Sequence, residues 1–178
     1  RVEVSLRTRW AHVLALGHGP HAYLDAALFR KATQHAKCLA RLQEEFERSN
    51  EAFVIHYRQK YADPELPPLW VVSELLTFGQ LSLWFQNIKE NATRVQISTP
   101  YRLDEQIIGS FAHHLSYVRN VCAHHMRLWN REATIGMKLP AKPDWLGATF
   151  NQAQPKRLYN TLVMLAYMLD TISPMSRW

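Results

Sequence analysis

Apolar residues recur along this chain at helical spacing almost throughout, and no segment alternates with period two between hairpin turns, so the pattern predicts an all-α protein. A first helix is expected over Val2 to Leu16, with Leu6, Trp10, Val13 and Leu14 turned inward and Gly17, Gly19 and Pro20 stopping it. A second runs from Thr33 to Arg48, and Ser49 or Asn50 caps a continuation to Tyr61. Pro64, Pro67 and Pro68 break the chain before a strongly apolar helix over Trp70 to Ile88, and Pro100 closes the irregular segment behind it. Asp104 offers an N-cap to a long helix reaching Arg131. Gly136 to Pro155, with its prolines and glycines, reads as a loop, and a last helix covers Lys156 to Ile172. No internal repeat is visible.

The long helix carries the most chemistry. At about 100° per residue, Ile107, Ile108, Phe111, Leu115, Val118, Cys122, Met126 and Trp129 share one apolar stripe that predicts a core face. The opposite pole collects His113, Tyr117, Asn120, His124, Arg127 and Arg131. Imidazoles, guanidinium charge and small polar donors along one line suit phosphate recognition and proton transfer. An ordinary solvated face has the same polarity, so the projection leaves both readings open.

Composition narrows the setting. A chain of 178 residues, 47% hydrophobic and holding six tryptophans, is long enough for one buried core, and a single domain over residues 1–178 is expected. It opens on Arg-Val-Glu-Val-Ser-Leu-Arg, which already reads like the inside of a helix, so an N-terminal portion of a longer protein is expected to be missing. There is no uninterrupted apolar run of about 18 residues and no signal-like segment, and a soluble, cytoplasmic protein with no membrane partner follows. Cys38 and Cys122 fit neither a disulfide framework nor a CxxC pattern, so reduced thiols are expected. Basic and acidic residues nearly balance up to Thr93, eleven against ten, whereas the remainder carries ten against five. The C-terminal half is therefore where an anionic partner would be drawn.

Arg119 to Arg131 reads RNVCAHHMRLWNR. This resembles the RN-x-x-AHH-x-RLWNR signature of the Abi-like proteins of the AbiD/AbiF type, bacterial abortive-infection components placed in the HEPN superfamily. The opening VEVSLRTRWAHVLALGHGPHAYLDAALF and the central LPPLWVVSELLTFGQLSLWF also look like that family's pattern, so the resemblance covers most of the chain. HEPN ribonucleases are defined by an Arg, four to six intervening residues and a His. Arg119 with His124 satisfies this with four, and Arg119 with His125 with five.

The resemblance implies a HEPN-like helical bundle, paired through the motif helix into a two-fold homodimer whose composite cleft cuts RNA without metal or cofactor. It also implies a toxin or effector role in anti-phage defence, with an antitoxin or regulatory RNA as a further partner. Elementary geometry is compatible with the pairing, because Arg119 and His124 lie about 140° apart around a helix and about 7.5 Å apart along it. A two-fold axis beside the helix brings the Arg of one copy near the His of the other.

In the implied chemistry a ribose 2′-oxygen attacks the neighbouring phosphate. A histidine, with a reference pKa of about 6.5, relays the protons, and Arg119 holds the phosphate. Asn120 supports the site from one turn before His124, and Arg127, Arg131, Tyr117 and His125 are candidates for binding or support. The projection favours His124 over His125 and His114, which flank the apolar stripe. No two histidines of this helix stand at i,i+3 or i,i+4, so no metal site is expected.

Glu74 projects onto the apolar side of its helix, where an unpaired carboxylate is costly. It either pairs with Arg127 or Arg119 and orients the site, or reaches water at a rim. Trp10, Trp70, Trp84 and Trp129 are assigned to packing and not to base stacking. Two alternatives to the enzyme remain: a non-catalytic HEPN module binding RNA or a protein through the same face, and a plain helical scaffold.

Overall fold

The computed structural model describes residues 1–175. Among them the chain adopts the all-α class expected from its pattern, with two isolated antiparallel bridges, Phe29 with Ile88 and Glu132 with Arg157. It divides into two compact units, one formed by Leu6–Arg94 and the other by Arg1–Ser5 with the chain from Val95 onwards.

In the first unit, α1 (Val2–His18) from Leu6 onwards buries Leu6, Trp10, Val13 and Leu14 as its periodicity requires. It ends where Gly19 takes a φ of +91°, a conformation that L side chains rarely adopt. Then α2 (Ala32–Arg48) packs against α4 (Leu69–Leu75) and α5 (Phe78–Asn87), while α3 (Ala52–Lys60) follows a short extended link. The N-cap of α3 is Glu51, not Ser49 or Asn50; the Ser49 hydroxyl instead accepts the Glu51 N–H one step earlier, at 3.3 Å.

Trp84 is the hub of this core. It is fully buried, and its ring lies 5.2 Å from Phe29, 5.5 Å from His35, 6.2 Å from Trp10 and 6.3 Å from Tyr23, with three of the four contacts edge-to-face. Edge-to-face rings at these separations gain quadrupole attraction beyond their buried area. Two of the polar groups here are paired: the Tyr23 hydroxyl donates to the Pro67 carbonyl at 2.7 Å, and His35 Nε2 bonds the Tyr23 carbonyl at 2.8 Å.

The single helix expected over Trp70 to Ile88 is two helices. Thr77 caps α5 with a reciprocal box, its hydroxyl accepting the Gln80 N–H at 3.2 Å while Gln80 Oε1 accepts the Thr77 N–H at 2.7 Å. The Thr-x-x-Gln signal was present in the sequence but hidden among apolar neighbours. The break re-aims everything before it. Glu74 is exposed, so the burial cost that made it conspicuous does not arise, and Trp70 is 58% exposed and not part of the core.

Two helices fall in stretches expected to be irregular. One is α6 (Asn91–Ser98), short and rich in β-branched residues of modest helix propensity. The buried Arg94 steadies its start by donating to the Ile88 carbonyl at 2.5 Å and to Asn91 Oδ1 at 2.6 Å. The other is α8 (Asp144–Thr149), a single turn and a half within the proline-containing segment. The second unit also holds α7 (Glu105–Ala123) and α9 (Leu158–Ile172). As expected, Asp104 caps α7, its carboxylate accepting the Gln106 N–H at 2.8 Å.

No helix among the described residues is long and apolar enough to cross a membrane. Both cysteines are free, Cys38 buried and Cys122 exposed.

Candidate functional site

The motif-bearing helix ends eight residues before its expected limit. The His124 N–H still bonds the Asn120 carbonyl at 3.0 Å, but His125 takes a φ of +53°. The His125 N–H then bonds the Cys122 carbonyl at 3.0 Å, and the Met126 N–H bonds the Val121 carbonyl at 2.9 Å. These two bonds form a Schellman closure, with His125 in the left-handed position usually held by glycine. The paired histidines of the motif are thus the hinge at which the helix stops.

This overturns the long-helix projection beyond Ala123. Met126 and Trp129 do not continue the apolar stripe and are exposed, Trp129 to 78%; Cys122, still inside α7, is exposed as well. Arg127 and Arg131 do not extend the polar line along the helix axis. The projection that ranked His124 above His125 no longer separates them, since His124 is the C-cap and both are exposed. A helix carrying a 3.6 period on paper is stopped here by a left-handed residue, which periodicity cannot register.

Beyond the closure the chain doubles back along α7. Arg131 Nε donates to the Tyr117 hydroxyl at 2.9 Å, and the Ile135 carbonyl meets His114 Nδ1 at 2.6 Å. The Lys138 N–H then reaches the Ser110 hydroxyl at 2.7 Å, and its ammonium reaches Gln106 Oε1, also at 2.7 Å. Ala133 and Met137 are buried along this strap. At its base Asn130, also left-handed at φ +53°, has its carbonyl and side-chain oxygens 3.3 Å from Arg157 Nη1.

The strap sets the state of two titratable side chains on α7. His114 is buried, with Nδ1 donating to Ile135 and Nε2 accepting from the Thr161 hydroxyl at 2.8 Å, the pairing of a neutral ring. Burial pushes its pKa down, the Ile135 bond opposes this, and the nearby His113 adds to the lowering. In the unfolded chain the ring titrates near its ordinary value, so stability is full above about pH 6.5 and falls as the pH drops below it toward the lower folded value. Urea midpoints measured from pH 8 to pH 5 should therefore decline on the acid side. His114→Gln should be less stable at pH 8 yet show a flatter decline; an unchanged slope would remove His114 as its cause.

Tyr117 is the second. Desolvation raises its phenol, but hydrogen bonds from Arg131 and Thr134 and the Arg131 charge outweigh it, leaving the pKa below its ordinary value. The guanidinium also lies 6.0 Å above the Tyr117 ring. Beside this pair a cavity lined by His114, Tyr117, Leu128, Arg131 and Thr161 has only ≈10 Å³ of space, enough for about one water.

The residues singled out from the sequence therefore separate into groups. Arg119 and Asn120 lie near the end of α7 and His124 caps it, all exposed, with Arg119 Nη1 3.5 Å from Asn120 Oδ1. His125 and Arg127 follow on the exposed turn, and Arg131 is carried back to Tyr117. Glu74 belongs to the other unit. Sequence reasoning missed the strap partners Ser110, Ile135, Lys138 and Thr161, because pairings across unlike loops leave no periodic trace. Among the described residues no group of three or more His, Cys, Asp or Glu side chains is placed to hold a metal ion.

The left-handed His125 makes a direct test of backbone against chemistry. Glycine relieves about 1–2 kcal/mol of steric cost at such a position and returns about 0.4–1 kcal/mol through a freer unfolded chain. His125→Gly should therefore raise stability by about 0.5–1 kcal/mol in urea denaturation, and a loss would mean that the imidazole makes contacts worth more than the strain.

No curated protein and no solved structure matches the chain. The family model described as Abi-like protein matches residues 1–130, which include the first unit, all of α7 and the closure that follows it. With nearly three-quarters of its length under that match, the chain belongs to the Abi-like protein family.

Proposed function

We propose that this Abi-like chain is a metal-independent endoribonuclease of the HEPN type, acting as a toxin or effector in abortive infection. The observation that carries the reading is the exposed grouping of Arg119, Asn120 and His124 over the final turn of α7, at the positions of the Arg-x4-His motif. In the proposed reaction His124 takes the proton from a ribose 2′-hydroxyl as its oxygen bonds to the adjacent phosphorus. The bond from phosphorus to the 5′-oxygen breaks, and the proton passes to that oxygen. The products are a 2′,3′-cyclic phosphate and a 5′-hydroxyl. Arg119 holds the phosphate oxygens and offsets the charge that develops on them.

A dimer completes the site. Arg119 and His124 diverge by about 140° around the axis of α7, which favours a site shared with a second copy that faces the helix end. Trp129 and Met126, exposed beside the motif, provide apolar surface for that pairing. RNA is the substrate, and a neutralising antitoxin or regulatory RNA is a further partner.

The test is incubation of the purified protein with RNA in excess chelator. Cleavage leaving cyclic phosphate ends is expected. Cleavage that requires an added divalent ion overturns the mechanism, and binding without cleavage favours the non-catalytic alternative.

A further inference from the structure

A second cleft lies at the opposite end of α7. Its walls come from the 3-10 turn Thr99–Tyr101, from α8 and from α9, and it encloses about 580 Å³, within the size range of small-ligand sites. Arg102, Lys142, Trp145, Tyr167 and Asp170 line it. From here to the motif α7 rises 19 residues, about 28 Å, so the cleft does not share the motif's surface.

One of its two rings is tethered. The Tyr167 hydroxyl donates to the Tyr101 carbonyl at 3.1 Å. Trp145 rides on α8, whose Gly147 sits so close to the preceding backbone that a Cβ would lie 2.9 Å from the Ala141 carbonyl oxygen. The two rings stand 5.8 Å apart at 49°, which leaves the outer indole face open; Trp145 is 63% exposed. A solvent-facing indole is a stacking platform, and α8 presents it while burying the adjacent Leu146.

The charges complement that platform. Arg102 and Asp170 are exposed in the same cleft without bonding each other, and Lys142 adds an ammonium, 2.7 Å from the exposed Asp144. A guanidinium and an ammonium suit a phosphate, and a free carboxylate suits the N–H donors of a base edge. We propose that this cleft binds a nucleotide, with the base stacked on Trp145, the phosphate held by Arg102 and Lys142, and Asp170 accepting from the base. The nucleotide is either free or one unit of a bound strand. The inference stands apart from the ribonuclease reading, because none of these residues belongs to the motif.

Calorimetric titration decides it, using GMP, guanosine and a five-nucleotide single-stranded RNA against the full chain carrying His124→Ala, which keeps the strand intact. Trp145→Ala, at an exposed position and checked for unchanged thermal unfolding, is expected to weaken binding about tenfold or more. Arg102→Gln should weaken GMP and leave guanosine unchanged. Trp145-dependent binding of GMP identifies a free nucleotide as the ligand, and Trp145-dependent binding of the RNA alone identifies a strand. Failure of both to bind, or equal affinity in Trp145→Ala, overturns the proposal. Loss of cleavage in the chelator experiment leaves this result untouched.

Discussion

Replacing His124 by alanine should reduce RNA cleavage about 10²- to 10⁴-fold, the range that positioned acid–base groups contribute. Arg119→Ala should fall comparably, since a phosphate held without its guanidinium loses both orientation and offset charge. The exposure of both residues argues that neither change disturbs the fold. Mixing the two inactive variants then reports on where the site lies. If Arg and His act across a two-fold interface, random reassortment makes half the dimers heterodimers, each with one intact and one doubly defective site. Cleavage should return to about a quarter of the wild-type level. No recovery, with exchange of subunits verified, would place both groups in one copy. Full activity in either single variant would remove that residue from the mechanism.

A comparably large effect is expected far from the motif. Trp84→Ala empties the centre of the first unit, where the indole meets Trp10, Tyr23, Phe29 and His35, and should cost about 3–5 kcal/mol. The same ring carries a flaw, because its buried N–H has no partner among the described residues. Trp84→Phe removes that orphaned donor while retaining most of the aromatic volume, so its cost should be well below that of alanine. Urea denaturation of both variants checks this. Equal losses would show that the N–H, and not the ring volume, carries the stability.

The fold was legible where packing repeats. The inward side of α1 and the capped start of α7 followed from spacing and one aspartate, because a helix that buries one face must show its period. What escaped was decided by single bonds. The capping box at Thr77 split an apolar run that periodicity joins, and with it went the reasoning about Glu74. The left-handed turn at His125 ended a helix that hydrophobic spacing extends to Trp129. The motif residues themselves were legible only through resemblance, because their polarity is that of any solvated face. Their common exposure on one helix end is a fact of the fold, and the return of Arg131 to Tyr117 had no sequence signal at all.

The chain that doubles back along α7 also acts as a ruler. Tyr117, His114 and Ser110 meet Arg131, Ile135 and Lys138 in reverse order, so the number of residues between the two histidines and Arg131 fixes the register of every later tether. Drift in sequence can change side chains along that turn, but an insertion or deletion there displaces three anchorages at once. Length in this segment should therefore vary far less among descendants of this chain than its exposure to solvent would suggest.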